Sequence, residues 1–410
     1  MNIVEIVSYY PVYIKKIYSS NPSLKSKSYD EQMSFLNHDS AGWADFWQRA
    51  LKPLGYNMYK IILNATSLQK AWARENSLNV PSDNFDYNSI AFEQVKLIKP
   101  DIIFYNHYDA SFLAAIKKEI ASVKLVLVWV GSAIPESSVW KDVDIILSCA
   151  PETVDFFKSK GHKQVYHLNH GFDPIINERL KGTDIINNRY QLSFIGQLTR
   201  QGDFHLYRDE LLKQLAGALD ISIFSPTVES YSFLSDLDFL IRKYSYKLMN
   251  TFKKAGISKN MLAKIPKLGK AALWETEPLE PINPFLKKHI QPGVFGLQMY
   301  RVFKESLVTL NIHADSSPRY ASNMRLFEAT GVGCCLLTDW RDNICQLFRP
   351  ETEVITYKSS DECIEKMRWL LNNPAEAKKI AAAGMKRCLL EHTFSKRAEK
   401  LDEYIKKAMK

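Results

Sequence analysis

Six short apolar stretches punctuate the first 175 residues: "NIVEIVS", "NMYKIIL", "DIIFYN", "KLVLVWV", "VDIILS" and "QVYHLN". Between them the apolar residues change to helical spacing, as in Trp43, Phe46, Trp47, Ala50, Leu51 and Leu54. Strands that are apolar throughout, alternating with amphipathic helices, close βαβ units and build a parallel sheet covered on both faces. The stretch "HGFDPIINERLKGTDIINNRY" then has no clear period and reads as a linker. Beyond it the alternation resumes with "QLSFIG", the helical "YRDELLKQLAGAL", "ISIFS", "LVTLNIH", "CCLLTD" and "TEVITY". The predicted class is α/β, with two doubly wound Rossmann-like domains facing a cleft. The first domain is expected over residues 1–175, the linker over 176–190 and the second domain over 191–392. Residues 393–410 read as a C-terminal helix that crosses back to the first domain.

At 410 residues, 46% hydrophobic and 24% charged, the chain suits two domains that each bury a core. No segment reaches the roughly 18 uncharged apolar residues of a membrane span. The start "MNIVEIVSYYPVYIKK" has no basic region before its apolar stretch, so a cytoplasmic protein is expected. Cys149, Cys334, Cys335, Cys345, Cys363 and Cys388 show no paired spacing and read as reduced core thiols. The "DVD" at 142–144 opens an apolar strand, where alternation alone accounts for it. The "GVG" at 331–333 follows a helix instead of preceding one, which argues against a dinucleotide fingerprint.

In doubly wound folds ligands sit at the carboxyl ends of strands. That directs attention to "SSPRYASNMRLFEATGVGCCLLTD", residues 316–339, which places Arg319, Asn323, Arg325 and Glu328 between two strands. A helix is predicted from Ser322 or Asn323 to Gly331, with Asn323 as its cap and first-turn N–H groups available to an anion. Arg325 offers a fork that matches phosphate oxygens. Glu328, one turn on, suits the hydroxyls of a sugar. The plain alternative is a surface ion pair between Arg325 and Glu328, worth under about 1 kcal/mol.

The stretches "SNMRLFEATGVGCCLLTD" and "NICQLFRPETEVITYKSSDECIEKMRWLLNNPAEAKKIAAAGMKRCLLEHTFSKRAEKL" resemble the carboxyl-terminal domain of GT-B nucleotide-sugar glycosyltransferases. More narrowly they look like the spore-protein-type branch of the glycosyltransferase family 4 and family 1 group. The likeness rests on "R-x-x-E-A-x-x-x-G", "LF-x-x-x-x-E", "N-x-P" and "HT-x-x-x-R". It implies a GT-B fold and a nucleotide-diphosphate sugar as donor. By the same resemblance "LSFIGQL" is the first strand of the nucleotide-binding domain, with Gly196 letting backbone approach the diphosphate. "HLNHGFDP" resembles the segment that closes the amino-terminal domain. Many family 4 enzymes carry a sugar-contacting glutamate eight residues before the one matching Glu328; here that position is Tyr320.

The donor-binding set is thus read as Gly196, Gln197, Arg200, Arg319, Tyr320, Ser322, Asn323 and Glu328. Arg208, near a helix start, and Arg325 are expected to stabilise charge on the leaving diphosphate without a metal or cofactor. The resemblance implies a retaining transfer, in which the acceptor hydroxyl passes its proton to the departing phosphate. An inverting enzyme would need a base, and His107 and Asp109 in "YNHYDA" are the candidates, with His38 and Asp39 behind them. The acceptor is expected to be a glycan or lipid-linked glycan. An epimerase of the same fold and a non-catalytic nucleotide-sugar-binding protein are the alternatives.

Residues 226–292 read as a helical insertion. Its central part, Ile241 to Lys270, holds nine basic residues and no acidic one, in a chain whose formal net charge is +9. Phe239, Leu240, Tyr244, Leu248 and Phe252 recur there at helical spacing, which suits an amphipathic helix lying on an anionic membrane. No nucleic-acid recognition module accompanies the charge. A solvated helix packed on its domain is the plain alternative.

Overall fold

The computed structural model describes residues 1–78, 86–198, 200, 206–228, 233–280 and 282–410. The first sheet contains β1 (Asn2–Val7), β2 (Asn57–Ile62), β3 (Ile102–Asn106), β4 (Leu125–Val130), β5 (Ile145–Ser148) and β6 (Val165–His167). Its order is β2-β1-β3-β4-β5-β6, every pair parallel. The second contains β7 (Tyr190–Ile195), β8 (Ser222–Ser225), β9 (Ile290–Pro292), β10 (Ser306–Asn311), β11 (Cys335–Asp339) and β12 (Ile355–Tyr357). Its order, β12-β11-β10-β7-β8-β9, reverses direction at its first strand, as doubly wound sheets do. All six residues of β4 and of β10 are buried, the signature of a parallel sheet covered on both faces. The two doubly wound halves expected from the alternation are present.

One charged pair interrupts the apolar interior of the first sheet. Glu5 on β1 stands opposite Lys60 on β2, with Nζ 3.0 Å from Oε2 and both side chains 1% exposed. Burying either charge alone is costly, and their direct register is what makes the pair tolerable there.

By contact density the chain forms two compact units, Met1–Gln191 with Phe295–Lys410, and Leu192–Val294. Within the first unit, the helix Phe394–Ala408 buries Phe394, Ala398, Leu401 and Ile405. The Phe394 ring lies 5.2 Å from that of Phe46 and 5.1 Å from that of Trp47. The Tyr56 hydroxyl donates to Asp402 at 2.7 Å. Gly331 lies against the Phe172 ring so closely that a Cβ there would overlap it. The stretch read as a linker contains a short helix, Ile175–Arg179, whose last residue donates from one guanidinium nitrogen to both Asp45 oxygens, at 2.9 and 2.8 Å. Five residues are too few to show a period.

Within the second unit, the insertion contains the helices Phe233–Lys254, Lys259–Leu262 and Gly269–Ala272. It also contains β9, which helical spacing does not anticipate. The strand is three residues long, carries a glutamine and a proline, and sits at the sheet edge, where a missing N–H is harmless. Five of the six cysteines are buried as expected, and Cys345 is exposed on the short helix Ile344–Leu347. Among the described residues no helix is long and apolar enough to cross a membrane.

Candidate functional site

The helix of the 316–339 stretch runs from Arg325 to Gly331, shorter than its sequence suggested. Asn323 does not cap it. Its amide instead donates to the Asn311 side-chain oxygen at 2.6 Å, while the Asn311 amide donates to the Thr338 hydroxyl at 2.9 Å. Met324 occupies the cap position without a side-chain hydrogen bond. The asparagine is thus drawn to the ends of β10 and β11, because Asn311 presents an amide that needs a partner in the core.

Arg325 Nη1 contacts Glu328 Oε2 directly, so the two residues do form the i,i+3 pair. It is not a solvated surface pair: Glu328 is 4% exposed and Arg325 30%. Burial opposes the charge on Arg325, and Glu328 outweighs it, raising the guanidinium above its usual range. The Tyr300 hydroxyl reaches the other Glu328 oxygen at 3.5 Å, a weak contact. Burial first and the facing carboxylate second push that phenol well above its ordinary range, so it stays a donor. Glu328 therefore presents one oxygen held by a cation and one held loosely.

The loop before this helix is fastened by Glu152, in the first turn of the helix Pro151–Ser159. Its Oε1 accepts the backbone N–H groups of Arg319 at 3.2 Å and Tyr320 at 3.1 Å, and the Ser317 hydroxyl donates to both oxygens. Arg319 points outward, stacks on the Tyr320 ring at 5.2 Å and pairs with Asp342 at 2.8 Å. Ser322 is buried. Of the residues read on this stretch, the structure brings together Arg325 with Glu328 and leaves Arg319 apart.

Sequence reading missed a buried cluster beside them. His313 follows β10, and its ring Nδ1 lies 2.7 Å from Asp339 Oδ1, whose carboxylate also accepts the His313 backbone N–H at 3.1 Å. Arg341 Nη2 donates to the other Asp339 oxygen at 2.7 Å. Burial would raise the Asp339 carboxyl, but His313 and Arg341 hold it below the usual range. The His313 ring is fully buried, and its Nε2 has no hydrogen-bond partner among the described residues. A histidine just past one strand and an aspartate ending the next were the available signal, since parallel neighbours bring their carboxyl ends together.

In the second unit, Arg208 lies in the first turn of the helix Leu206–Ala218 and is buried. Its Nη1 donates to the Gln197 carbonyl at 2.9 Å, and its guanidinium sits 5.6 Å from the Phe194 ring centre. The Gly196 N–H donates to the Phe224 carbonyl at 3.1 Å, and a Cβ there would come 2.8 Å from the Phe194 ring. Arg200 is tied down elsewhere, to Asp209 at 3.2 Å and the Glu280 carbonyl at 3.1 Å. Asp209 is therefore committed to Arg200 and Asn283, not to Arg208.

His107 and Asp109 follow β3. Asp109 caps the helix Ala110–Glu119, accepting from Ser111 N at 2.9 Å, Phe112 N at 3.0 Å and the Ser111 hydroxyl at 2.6 Å. Asn88 donates to its second oxygen at 3.2 Å. These bonds, the Ser111 hydroxyl foremost, hold its carboxyl below the usual range, which makes it a poor proton acceptor. His107 is half-buried, and burial lowers its ring pKa. Asp39 accepts from the Tyr13 hydroxyl at 2.9 Å, and burial raises its carboxyl. The aspartate of "DVD" that ends the motif, Asp144, accepts the Val126 N–H at 2.7 Å and belongs to the sheet.

Residues 248–403 match the family described as glycosyl transferase-like. The whole chain is similar in fold to Anabaena HepE in complex with UDP-glucose, at 10% identity and a TM-score of 0.54 over 99% of this chain and 100% of that one. It is similar as well to sucrose-phosphate synthase from Thermosynechococcus elongatus, at 10% identity and a TM-score of 0.52 over 99% and 98%. An alpha-glucosyltransferase in complex with UDP and a mismatched DNA 13-mer gives 13% identity and a TM-score of 0.53 over 100% of both chains. No curated protein matches the sequence. The fold is that of the GT-B glycosyltransferases.

Proposed function

We propose that this protein moves a sugar from a nucleoside-diphosphate donor to a hydroxyl of a glycan or lipid-linked glycan, with retention and without a metal. The observation that carries this reading is the half-buried Arg325–Glu328 pair on a helix between β10 and β11, inside the stretch that matches the glycosyl transferase-like family. The UDP-glucose bound by the fold neighbour HepE supports the same class of donor. In this reading the loosely held Glu328 oxygen accepts from ribose hydroxyls, since a buried carboxylate is a strong acceptor where water is excluded. Breaking the glycosidic bond places negative charge on the diphosphate, and fixed cations lower the barrier where that charge develops. Arg325 is assigned this role. The acceptor hydroxyl then passes its proton to the departing phosphate, so no carboxylate base is required.

The commitment of Asp109 to a helix cap favours this base-free course over inversion through Asp109. His107 remains the candidate base if the outcome is inversion. Tyr320, standing where related enzymes carry a sugar-contacting glutamate, favours a second reading as a nucleotide-sugar-binding protein without turnover. The test is incubation with UDP-, GDP-, ADP- and dTDP-sugars, with and without glycan acceptors, in the presence of a chelator. Release of nucleoside diphosphate that requires acceptor and survives chelation supports the proposal. Turnover of donor alone identifies an epimerase or hydrolase, and binding without turnover identifies the second reading.

A further inference from the structure

The helix Phe233–Lys254 carries apolar residues on two faces, where a surface helix normally has one. At about 100° per residue, Phe239, Tyr246 and Met249 project to one side. Phe239 and Met249 are buried there, and Met249 packs with Leu262, Ala271 and Ala272. Opposite them, Leu237, Leu240, Ile241, Tyr244 and Leu248 fall within an arc of about 100°. This second set faces solvent, with exposures from 43% to 67%. Ile257 and Met261, just beyond the helix, are exposed too. Single exposed apolar residues are ordinary, but an aligned row of five marks a docking surface.

The charges around the row identify what docks. Lys243, Lys247 and Lys254 run along one flank of the row, and Lys259, Lys264, Lys267 and Lys270 follow as exposed side chains. No acidic residue occurs between Ile241 and Lys270. Glu277 approaches Lys243 and Lys247 only at 3.9 and 3.8 Å, and Asp238 holds Arg242 at 2.9 Å. A nucleic-acid backbone would use the lysines and leave the leucines in water. A membrane-surface helix combines an apolar ridge that enters the headgroup layer with lysines that meet anionic lipid beside it.

We propose that the outer face of this helix, with the lysine-rich stretch to Lys270, docks on an anionic bilayer surface. Leu237, Leu240, Ile241, Tyr244 and Leu248 enter the headgroup layer, and the lysines bind lipid phosphates alongside. The proposal does not rest on the glycosyl-transfer reading, because lipid binding is read without any donor or acceptor.

The test is cosedimentation of the full chain with vesicles of phosphatidylcholine alone and of phosphatidylcholine with an equal part of phosphatidylglycerol. Binding to the anionic vesicles is expected to exceed binding to the neutral ones by at least tenfold and to weaken as salt rises. The triple variant Lys243→Gln/Lys247→Gln/Lys254→Gln is expected to lose roughly tenfold to a hundredfold in partitioning. The quadruple variant Leu240→Ser/Ile241→Ser/Tyr244→Ser/Leu248→Ser changes only exposed side chains and is expected to bind at least tenfold more weakly with its melting temperature unchanged. Three results overturn the proposal: wild-type protein that ignores anionic vesicles at low salt, a quadruple variant that binds as wild type does, and wild-type dimers that the quadruple variant dissolves. Should the quadruple variant fail to fold, the triple variant and the two lipid compositions still decide the question.

Discussion

The ends of β3 and β10 each present a histidine near a carboxylate, and the protein uses the two sets differently. After β3, His107 and Asp109 are two residues apart, yet Asp109 turns to the helix it begins, fills one oxygen with donors from Ser111 and Phe112, and gives the other to Asn88. After β10, His313 finds its carboxylate 26 residues away, on the neighbouring strand β11, at 2.7 Å. Nearness in sequence produced a cap, and nearness across a parallel sheet produced a buried dyad. Local backbone donors reach a carboxylate first wherever a helix starts, so an Asp at such a position is taken before any distant partner arrives. The carboxylate at the end of β11 has no such helix donors and is satisfied by His313 from beyond β10 and by Arg341 two residues on.

The largest effect expected from this difference is on stability. Asp339→Ala leaves the His313 Nδ1 and the Arg341 guanidinium buried without their partner and should cost about 3 to 5 kcal/mol. Asp109→Ala removes one cap and should cost about 1 kcal/mol. Chemical denaturation of both variants checks this, and equal losses would break the comparison. Both carboxyls lie below their usual range when folded, so each contributes stability that is fully present above the unfolded carboxylate value of about 4. That contribution is lost as the pH falls through the lower folded value. Acid unfolding of wild type should therefore steepen below about pH 4, and Asp339→Asn should flatten it more than Asp109→Asn.

The next effect concerns the helix that carries Arg325 and Glu328. Gly331→Ala forces a Cβ into the Phe172 ring and should destabilise by about 1 to 3 kcal/mol, read as a lowered melting temperature. A silent Gly331→Ala would mean that this helix is less firmly seated than the β10 end of the comparison requires. The smallest effect sharpens the β3 end. Asn caps a helix as well as Asp, so Asp109→Asn should leave stability nearly unchanged. If Asp109 is only a cap, turnover should stay within a few-fold. A loss of roughly a hundredfold or more would return it to the role of general base.

The same physics explains what was legible in the sequence. Apolar runs such as "LVLVWV" and "LVTLNIH" marked buried parallel strands because every residue of β4 and β10 must be apolar or satisfied. Arg325 and Glu328 were legible because a helix fixes the i,i+3 distance. Pairings between distant parts of the chain were not: His313 with Asp339 and Glu5 with Lys60 depend on strand order, and Glu152 meets the Arg319–Tyr320 backbone from a helix 167 residues away, none of which local spacing encodes. Strand β9 escaped because three edge residues carry no period. Arg208 was favoured over Arg200 in sequence by its place at a helix start, but that Asp209 pairs with Arg200 depends on how the preceding loop folds back.

We propose that the Arg325–Glu328 helix holds a nucleotide-sugar donor. Isothermal titration calorimetry of wild type and of Glu328→Gln with UDP-glucose and with the best nucleotide sugar from the screen tests it most directly. Glu328→Gln keeps the volume of the side chain, and an unchanged circular dichroism spectrum verifies that the variant is folded. The account predicts saturable binding by wild type and a loss of about tenfold or more in the variant, since the hydroxyls of the ligand lose a charged acceptor. Equal affinity in a folded Glu328→Gln, or no binding of any nucleotide sugar by wild type, would contradict it.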